Sequence, residues 1–237
     1  MASQGALFET TKPARVVETR LYAEVCSALG TPIEKLTNDS RRVTPDAAFA
    51  AYPGAASDGR KFIDQAIQAG ASAVLWEPSS FQWRPQWNVP NMPVASLASR
   101  LGELADAVYG HPSQLLWVIG VTGTNGKTSC SYWLAQALTA LGVRTALLGT
   151  LGNGFTDDLS ASNNTTPDAI VLHESLARYA SAGARAVAME VSSHGLAQRR
   201  VDAIAFDFAV FTNLTRDHLD YHATMADYAA AKARLFD

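Results

Sequence analysis

A glycine-rich loop near the middle of the chain reads Gly120-Val121-Thr122-Gly123-Thr124-Asn125-Gly126-Lys127-Thr128-Ser129. It follows the apolar run Leu116 to Val121, which predicts a strand, and it opens a helical pattern from Lys127 to Leu141. Glycines let backbone N–H groups face phosphates, and the N-terminus of the helix adds partial positive charge. This order of strand, loop and helix predicts a nucleoside triphosphate site, with a glycine-rich turn as the alternative.

Two side chains of the loop are typical of nucleotide chemistry. Lys127 is expected to reach the β- and γ-phosphates, and the Thr128 hydroxyl is expected to bind Mg²⁺. The common pattern, G-x-x-x-x-G-K-[ST], has a glycine where this chain has Val121. The loop is therefore a variant, and its prediction depends on the strand and helix that flank it.

Short apolar runs alternate with helical segments downstream of residue 95, a pattern typical of βαβ units. We therefore predict an α/β fold with a mostly parallel sheet. A polar loop is expected from Gly152 to Thr166. The predicted strands are Leu116 to Val121, Thr145 to Leu148, Ala186 to Val191 and Phe208 to Phe211.

Two helices in this half have recognisable ends. The helix from Lys127 is expected to stop before Gly142. The next one is expected to have Pro167 in its first turn and to end near Gly183. The first helix should carry Trp133, Ala137, Leu138 and Leu141 on one face.

The last helix is predicted from Thr224 and Asp227, whose spacing resembles a capping box before an Ala-rich segment. Neither glycine nor proline follows before Asp237. We therefore expect the sequence to stop inside this helix.

Residues just after strands are candidates for the site, because ligands of open α/β sheets lie at the carboxyl ends of strands. Glu190 ends the apolar run that begins at Ala186, where a carboxylate suits a metal–ATP complex; a capping or salt-bridged glutamate is the alternative. Residues 213–222 follow the fourth strand and are rich in Asp, His and Arg. His218 and His222 have a zinc-like spacing but no third ligand, so we favour a solvated loop.

The N-terminal part contains a proline-rich stretch, residues 79–93, with neither helical nor strand period. It is predicted to be a loop near a domain edge. Its aromatic residues are expected to pack against each other, since only Arg84 accompanies them as a cation for nucleic-acid contact. They are Trp76, Phe81, Trp83 and Trp87.

Composition excludes several classes of protein. The 237 residues carry 19 Lys+Arg against 22 Asp+Glu, a net charge of −3, so a general polyanion binder is excluded. Cys26 and Cys130 fit neither a disulfide framework nor a thiolate metal site, and no apolar run reaches the length of a membrane span. We expect a cytoplasmic monomer without nucleic-acid partners or membrane insertion.

Three further motifs accompany the loop: Asn164-Thr165-Thr166-Pro167-Asp168, Met189-Glu190-Val191-Ser192-Ser193-His194-Gly195-Leu196, and Thr212-Asn213-Leu214 with Asp217-His218-Leu219-Asp220-Tyr221-His222. Together the four resemble the Mur ligases of peptidoglycan synthesis. The loop alone would also fit folylpolyglutamate synthases. The second and third of these motifs resemble the branch that adds the third amino acid of the stem peptide.

The resemblance implies two domains and a set of site residues. Residues 1–95 would be a small α/β domain that binds the UDP precursor, and residues 96–237 an incomplete, mostly parallel-sheet ATP-binding central domain, with the C-terminal ligase domain absent. ATP would be held by Thr122, Gly123, Thr124, Asn125, Gly126, Lys127 and Thr128, with Lys127, Lys232, Glu190 and His218 in catalytic roles. The muramoyl-dipeptide would be held by Ser40, Asn164, Thr165, Thr166, Ser192, Gln198 and Arg200.

The resemblance also implies that Mg²⁺ is held by Thr128, Glu190, His218 and Lys232. Lys232 matches the lysine that family members carry as a carbamate (N6-carboxylysine), which converts a cation into an anionic metal ligand. Without the resemblance, a lysine in an Ala-rich helix predicts only a solvated side chain.

The segment Asn38 to Val43 resembles the family's Asp-Ser-Arg region at the uridine diphosphate site. Its residues alone predict a turn or helix cap at Asp39 and a surface arginine pair, or equally a phosphate contact. The chain departs from many relatives at Ala55-Ala56-Ser57, where they have His-Gln-Ala. Side-chain hydrogen bonds from that loop to the nucleotide are therefore not expected.

The implied reaction is an ATP-dependent amide ligation through an acyl phosphate, with meso-diaminopimelate favoured over lysine as the added amino acid. We expect the chain to be part of a longer parent and inactive as a ligase alone. The alternatives are a folylpolyglutamate synthase-like ligase, a different Mur ligase, and a non-catalytic module that binds a nucleotide or UDP precursor.

Overall fold

A computed structural model describes residue 12 and residues 20–54, 57–162 and 164–237. The described chain forms two compact units, one within Val17–Gly110 and one containing His111–Asp237 and Lys12. None of the helices in the described parts of the chain is long and apolar enough to cross a membrane.

The first unit is built on a four-stranded parallel sheet in the order β1-β2-β3-β4. Strands β2 and β3 are buried along their whole length, as expected for parallel strands covered on both faces. Its elements are α1 (Arg20–Leu29), β1 (Lys35–Thr37), a 3₁₀ turn (Ser40–Arg42), β2 (Ala47–Ala51), a 3₁₀ turn (Gly59–Phe62), α2 (Ile63–Gln68), β3 (Ala73–Trp76), β4 (Asn91–Pro93) and α3 (Leu97–Val108).

Helix α3 packs against α1 and β1, so it belongs to the first unit. The division between the units therefore falls after Gly110 and not at residue 95. The change of sequence pattern near residue 95 marks the start of this helix, which covers the sheet that precedes it.

The proline-rich stretch is irregular as predicted, except that β4 occupies its last three residues. Its aromatic residues pack on each other: the Trp76 and Phe81 ring centroids are 5.9 Å apart, and Trp83 meets Trp87 edge-on at 4.8 Å. The packing interpretation is confirmed.

The second unit contains a six-stranded sheet in the order β10-β5-β9-β6-β7-β8. The first four strands of that order are parallel, and β7 and β8 continue the sheet antiparallel. Its elements are α4 (Pro112–Leu115), β5 (Trp117–Thr122), α5 (Lys127–Ala140), β6 (Thr145–Gly149), β7 (Gly152–Phe155), β8 (Asp158–Ser160), α6 (Ala169–Ser181), β9 (Ala186–Glu190), α7 (Ser193–Ala197), β10 (Phe208–Phe211) and α8 (Met225–Ala233).

The α/β fold and the four predicted strands of this unit are confirmed, with ends shifted by at most one residue. The polar loop expected from Gly152 to Thr166 is wrong in its first part, which forms the β7–β8 hairpin. Gly152 and Gly154 adopt φ values of +140° and +145°, which favour glycine. Their presence removes the apolar alternation that marks a strand.

The predicted end of α5 is confirmed, whereas the predicted first turn of α6 is not. Helix α5 stops at Ala140, and Gly142 takes the left-handed conformation just beyond it, with φ +84°. Pro167 was expected in the first turn of α6, but it lies outside the helix. Asp168 is the N-cap, and its side chain accepts hydrogen bonds from the N–H groups of Ile170 and Val171.

The face of α5 that packs on the sheet differs from the apolar face in the sequence. Trp133 and Leu141 are 65% and 67% exposed, whereas Ser131 and Ala135 are fully buried. Small side chains let the helix lie close to β6 and β9, which it contacts. The apolar period thus identified the helix but not its buried side.

Thr224 caps α8 as predicted, accepting a hydrogen bond from the Asp227 N–H at 3.1 Å. The helix ends at Ala233, four residues before Asp237. The expectation that the sequence stops inside a helix is therefore wrong.

Candidate active site

The carboxyl ends of four parallel strands meet at one edge of the second sheet. Val121 of β5 pairs with Glu190 of β9, and Leu148 of β6 pairs with Met189. Phe211 of β10 pairs with Thr122. This register brings the start of the glycine loop beside the only carboxylate at the end of these strands.

Residues 212–215, which follow β10, fix the glycine loop. The Thr124 N–H donates to the Asn213 carbonyl at 2.8 Å, and the Asn125 N–H donates to the Asn213 side-chain oxygen at 3.1 Å. The Thr212 hydroxyl donates to the Asn125 carbonyl at 2.6 Å. The loop is thus held by hydrogen bonds from a segment about 90 residues away in sequence.

Glycine is required at position 123 for two reasons. Its φ is +144°, and a Cβ there would collide with the Thr212 hydroxyl. Thr122, which precedes it, is fully buried at the end of β5. The Thr122 side chain therefore does not face solvent, although its backbone begins the loop.

Glu190 is 2% exposed, and its carboxylate accepts three hydrogen bonds. The Thr128 hydroxyl donates to its Oε2 at 2.9 Å, the Thr150 N–H to its Oε1 at 2.7 Å and the Thr150 hydroxyl to its Oε2 at 3.3 Å. The hydroxyl and carboxylate predicted to bind Mg²⁺ therefore already lie in contact. Carboxylate and hydroxyl oxygens are the kind of donor that this ion prefers.

Two lysines point at the same carbonyl of the loop. Lys127 Nζ donates to the Gly123 and Thr124 carbonyls at 3.0 and 2.8 Å, and Lys232 Nζ donates to Gly123 at 2.8 Å. Burial lowers the pKa of Lys127, although the charges of Glu190 and Asp217 oppose the shift.

Lys232 is only 2% exposed, so the solvated lysine that an Ala-rich helix predicts is not what the structure shows. Burial, followed by the charge of Lys127, lowers the pKa of Lys232 to about 8. Its ammonium nitrogen lies 4.4 Å from the Tyr228 ring centroid, and the His218 ring lies 6.0 Å from the same ring. Lys232 and His218, two of the residues predicted to bind Mg²⁺, therefore both lie near the Tyr228 ring.

The residues expected to hold the dipeptide form a second connected group. Thr166 is 1% exposed; its hydroxyl donates to the Glu190 carbonyl at 2.9 Å and accepts from the Ser192 N–H. Arg200 donates to the Thr166 carbonyl at 2.7 Å and to the Gln198 side-chain oxygen at 2.6 Å. Thr166 is therefore hydrogen-bonded to the end of β9 that carries Glu190, and Arg200 is linked to that strand end through Thr166.

Residues 213–222 were predicted to form a solvated loop, and most of them are exposed or half-buried, but the prediction is wrong for His222. His222 is buried and its Nε2 lies 3.0 Å from the Ser193 hydroxyl. Burial lowers the pKa of both His222 and His194. Among the described residues, no group of three or more His, Cys, Asp or Glu side chains is arranged to hold a metal ion. A magnesium ion is commonly held by one or two protein oxygens together with phosphates, so it needs no such cluster.

Two family models match the chain. The Mur ligase middle domain matches residues 121–237, and the model described as Mur ligase family, catalytic domain, matches residues 32–109. The chain belongs to the Mur ligase family. The glycine loop from Val121 onward, Glu190, His218 and Lys232 all fall within the matched middle domain.

Curated relatives agree with the family assignment. The chain is 51% identical over 208 residues to the UDP-N-acetylmuramoyl-L-alanyl-D-glutamate–2,6-diaminopimelate ligase of Nitrosomonas europaea, covering 88% of this chain and 40% of that one. It is 52% identical over 209 residues to the ligase of the same name from Chromobacterium violaceum, covering 88% and 42%. The chain thus spans about two fifths of the length of these Mur ligases.

Solved structures show the same fold. A UDP-N-acetylmuramoyl-L-alanyl-D-glutamate–2,6-diaminopimelate ligase superposes with a TM-score of 0.72 at 36% identity, covering 87% of this chain and 41% of that one. The MurF ligase of Thermotoga maritima, in complex with ADP, superposes with a TM-score of 0.60 at 21% identity, covering 86% and 43%. The second match concerns the fold alone.

Predicted site residues of the Mur ligase middle domain lie together, whereas Ser40 lies in the first unit. Ser40 is buried and donates to the Gln65 side-chain oxygen at 2.9 Å. Asp39 caps the following turn, as its sequence predicts, accepting from the Arg41 N–H at 3.0 Å. Ala55 and Ala56 lie outside the described residues. Asn164 lies in the loop beside Thr165, where its carbonyl accepts from the Ser162 hydroxyl.

Sequence reasoning missed several residues that shape this Mur ligase site. Thr150 lies just after a predicted strand, where site residues are expected, but a single threonine after a glycine does not indicate a particular chemistry. Tyr228 contacts the Thr124 hydroxyl at 3.2 Å, yet 104 residues separate the two in sequence. Thr212 and Asn213 belong to a quoted motif, and their role in holding the loop is visible only in three dimensions.

Proposed function

We propose that this chain provides the precursor-binding and ATP-binding parts of a ligase that joins meso-diaminopimelate to UDP-N-acetylmuramoyl-L-alanyl-D-glutamate. The proposal rests on the hydrogen bonds of Glu190. Its carboxylate accepts from Thr128 of the phosphate loop, and its backbone carbonyl accepts from Thr166, one of the residues predicted to hold the dipeptide. The names of the two curated relatives described above support diaminopimelate over lysine.

The proposed reaction activates a carboxylate. The free carboxylate of the D-glutamyl residue attacks the γ-phosphorus of ATP, the bond to the β-phosphate oxygen breaks, and an acyl phosphate and ADP result. The amine of the incoming amino acid then attacks the acyl carbon, loses a proton and expels inorganic phosphate, leaving an amide. Such phosphoryl transfer depends mainly on positioning and on charge neutralisation.

The residues of this chain supply both requirements. The Lys127 ammonium would neutralise the phosphate charge that develops, once it exchanges its hydrogen bonds to the Gly123 and Thr124 carbonyls for the phosphates. Thr128 and Glu190 would hold one Mg²⁺, and His218 and Lys232 a second, which would neutralise charge on the phosphates. Arg200, Gln198 and Ser192 would bind and orient the dipeptide.

We also propose that Lys232 carries a carbamate. Carbamate formation requires the neutral amine, which attacks CO₂ and releases a proton. Burial lowers the pKa of Lys232 to about 8, so a substantial fraction of the amine is neutral near physiological pH. The N6-carboxylysine would be an oxygen ligand beside His218. Incubation with ¹³C-bicarbonate should give a carbamate carbon signal that disappears in Lys232→Arg.

The first unit would hold the uridine diphosphate part of the precursor, with Ser40 at that site. ATP and the UDP precursor are cytoplasmic metabolites, so we place the protein in the cytoplasm. We further propose that it is a monomer, and its net charge of −3 argues against nucleic-acid partners. The Ser40 hydroxyl donates to Gln65 in this structure, and binding would require it to exchange that partner.

The phosphate-loop assignment is tested by calorimetry with Mg·ATP. Lys127→Ala should weaken binding by about 10- to 100-fold, the range expected for one charge-assisted contact. Lys61→Ala removes an exposed lysine of the first unit and serves as the matched control. Equal affinity of Lys127→Ala and the native chain would reject a nucleotide site at this loop.

The substrate assignment is tested with the UDP-N-acetylmuramoyl-dipeptide and, in parallel, with a folate. Binding of the UDP precursor that weakens in Arg200→Ala is the expected result. Binding of folate without the UDP precursor would favour a folylpolyglutamate synthase-like ligase instead. Binding of both ATP and precursor without turnover when the amino acid is added would fit a chain that needs further parts for catalysis.

A further inference from the structure

Thr150 follows β6 and contacts residues of two proposed sites, the metal site and the dipeptide site. Its N–H and hydroxyl both contact the Glu190 carboxylate, at 2.7 and 3.3 Å. Its hydroxyl also lies 3.1 Å from the Thr165 hydroxyl. Glu190 belongs to the predicted metal site, and Thr165 to the predicted dipeptide site.

The backbone at this point is shaped to receive the glutamate. A Cβ at Gly149 would collide with the Glu190 carboxylate, so only glycine lets that side chain lie against the strand end. Close approach of the carboxylate then brings the Thr150 N–H within hydrogen-bond distance. The Gly149-Thr150 pair therefore forms one wall of the carboxylate site, and the Thr150 hydroxyl shares the Glu190 Oε2 with the Thr128 hydroxyl.

The hydrogen bonds of the Thr150 hydroxyl have a defined direction. A carboxylate only accepts, so the single hydroxyl hydrogen of Thr150 is donated to Glu190. The contact with Thr165 is then made by the Thr165 hydroxyl donating to Thr150. Each hydrogen bond polarises the other, so a substitution at Thr165 changes the strength of the hydrogen bond from Thr150 to the Glu190 carboxylate.

We propose that Thr150 is a positioning residue that couples the metal site to the dipeptide site through its hydroxyl. This inference rests on the proposed function, since it assumes that Glu190 holds Mg²⁺ and that Thr165 contacts the dipeptide. Thr150 orients the Glu190 carboxylate and fixes the position of Thr165 relative to it. Phosphoryl transfer to the dipeptide carboxylate needs this alignment, because the γ-phosphate and the attacking oxygen must lie in line.

The test uses the whole chain, Mn²⁺ in place of Mg²⁺, and a non-hydrolysable ATP analogue, with bound Mn²⁺ measured by electron paramagnetic resonance. Thr150→Val keeps the β-branched shape and the N–H but removes the hydroxyl. It should weaken Mn²⁺ binding by about 10-fold or more, as loss of a residue that orients a metal ligand typically does. Thr150→Ser restores the hydroxyl and should bind Mn²⁺ like the native chain. Thr139→Val changes an exposed threonine on α5 and is the matched control.

Coupling is measured with the UDP-N-acetylmuramoyl-dipeptide in a double-mutant cycle of Thr150→Val and Thr165→Val. Losses of precursor affinity that are not additive support the proposal, because the two hydroxyls act as one unit. Additive losses, native Mn²⁺ affinity in Thr150→Val, or weak binding in Thr150→Ser would each overturn it. Failure of the native chain to bind Mn²⁺ with the nucleotide would instead reject the proposed function and this inference with it.

Discussion

Lys232 shows how far a single residue can depart from its sequence context. Its helix is rich in alanine and predicts a solvated lysine, and only the family resemblance pointed to it. The structure buries it because α8 packs against α7 and its ammonium reaches the Gly123 carbonyl. Burial of this kind depends on tertiary packing, which no local pattern encodes.

The depressed pKa of Lys232 predicts a pH-dependent stability. Its pKa is about 8 when folded and about 10.5 when unfolded, so the unfolded chain binds more protons between these values. The penalty for burying the charge is therefore full below pH 8 and disappears as the pH rises to about 10.5. In CO₂-free buffer, Lys232→Met should be more stable than the native chain at pH 7, by up to about 3 kcal/mol. Urea denaturation across this range should show the difference shrinking with pH.

Lys61→Met, at an exposed position, is the control for the lysine prediction and should show no such trend. A constant stability difference between Lys232→Met and the native chain from pH 7 to pH 10.5 would mean that Lys232 titrates normally when folded.

At the scale of elements, patterns with a strong period were predicted well and irregular ones were not. The four parallel strands of the second unit were predicted because continuous apolar runs are distinctive, although β10 is partly exposed whereas β6 and β9 are buried throughout. The β7–β8 hairpin was missed because glycines and polar residues fill it, and its pairing depends on the neighbouring β6. Helix α5 was found, but its buried face was not, since small residues lie against the sheet.

The glycine loop gives a prediction at this scale. Gly123→Ala should abolish or strongly weaken Mg·ATP binding, because its φ is +144° and the new methyl group would displace Thr212, which holds the loop. Gly142→Ala is a matched control: its φ is +84°, and no atom lies within 4 Å of a Cβ there. The control should lose about 1 kcal/mol of stability but retain its nucleotide affinity. Calorimetry on both variants measures this, and equal ATP affinities would show that the loop tolerates the methyl group.

For the whole molecule, motifs and composition were enough to predict two α/β regions and a nucleotide site, but not how distant parts of the chain meet. Lys12 and Asp207 form a partly buried ion pair at 2.7 Å across 195 residues. The loop contacts of residues 212–215 span about 90 residues. Such pairs are set by topology, and a single sequence carries no period or spacing that reports them.

The two units should respond to different ligands, which tests the roles proposed for them. Uridine diphosphate, as the invariant part of the precursor, should slow amide hydrogen exchange within residues 20–110 only. Mg·ATP should slow exchange in residues 120–130 and 212–215, where the loop and the segment that holds it lie. Lys127→Ala should remove the second effect and leave the first unchanged, because ligand binding stabilises only the structure that it contacts. Protection of the first unit by Mg·ATP alone, or of the second by uridine diphosphate alone, would assign the two binding roles differently.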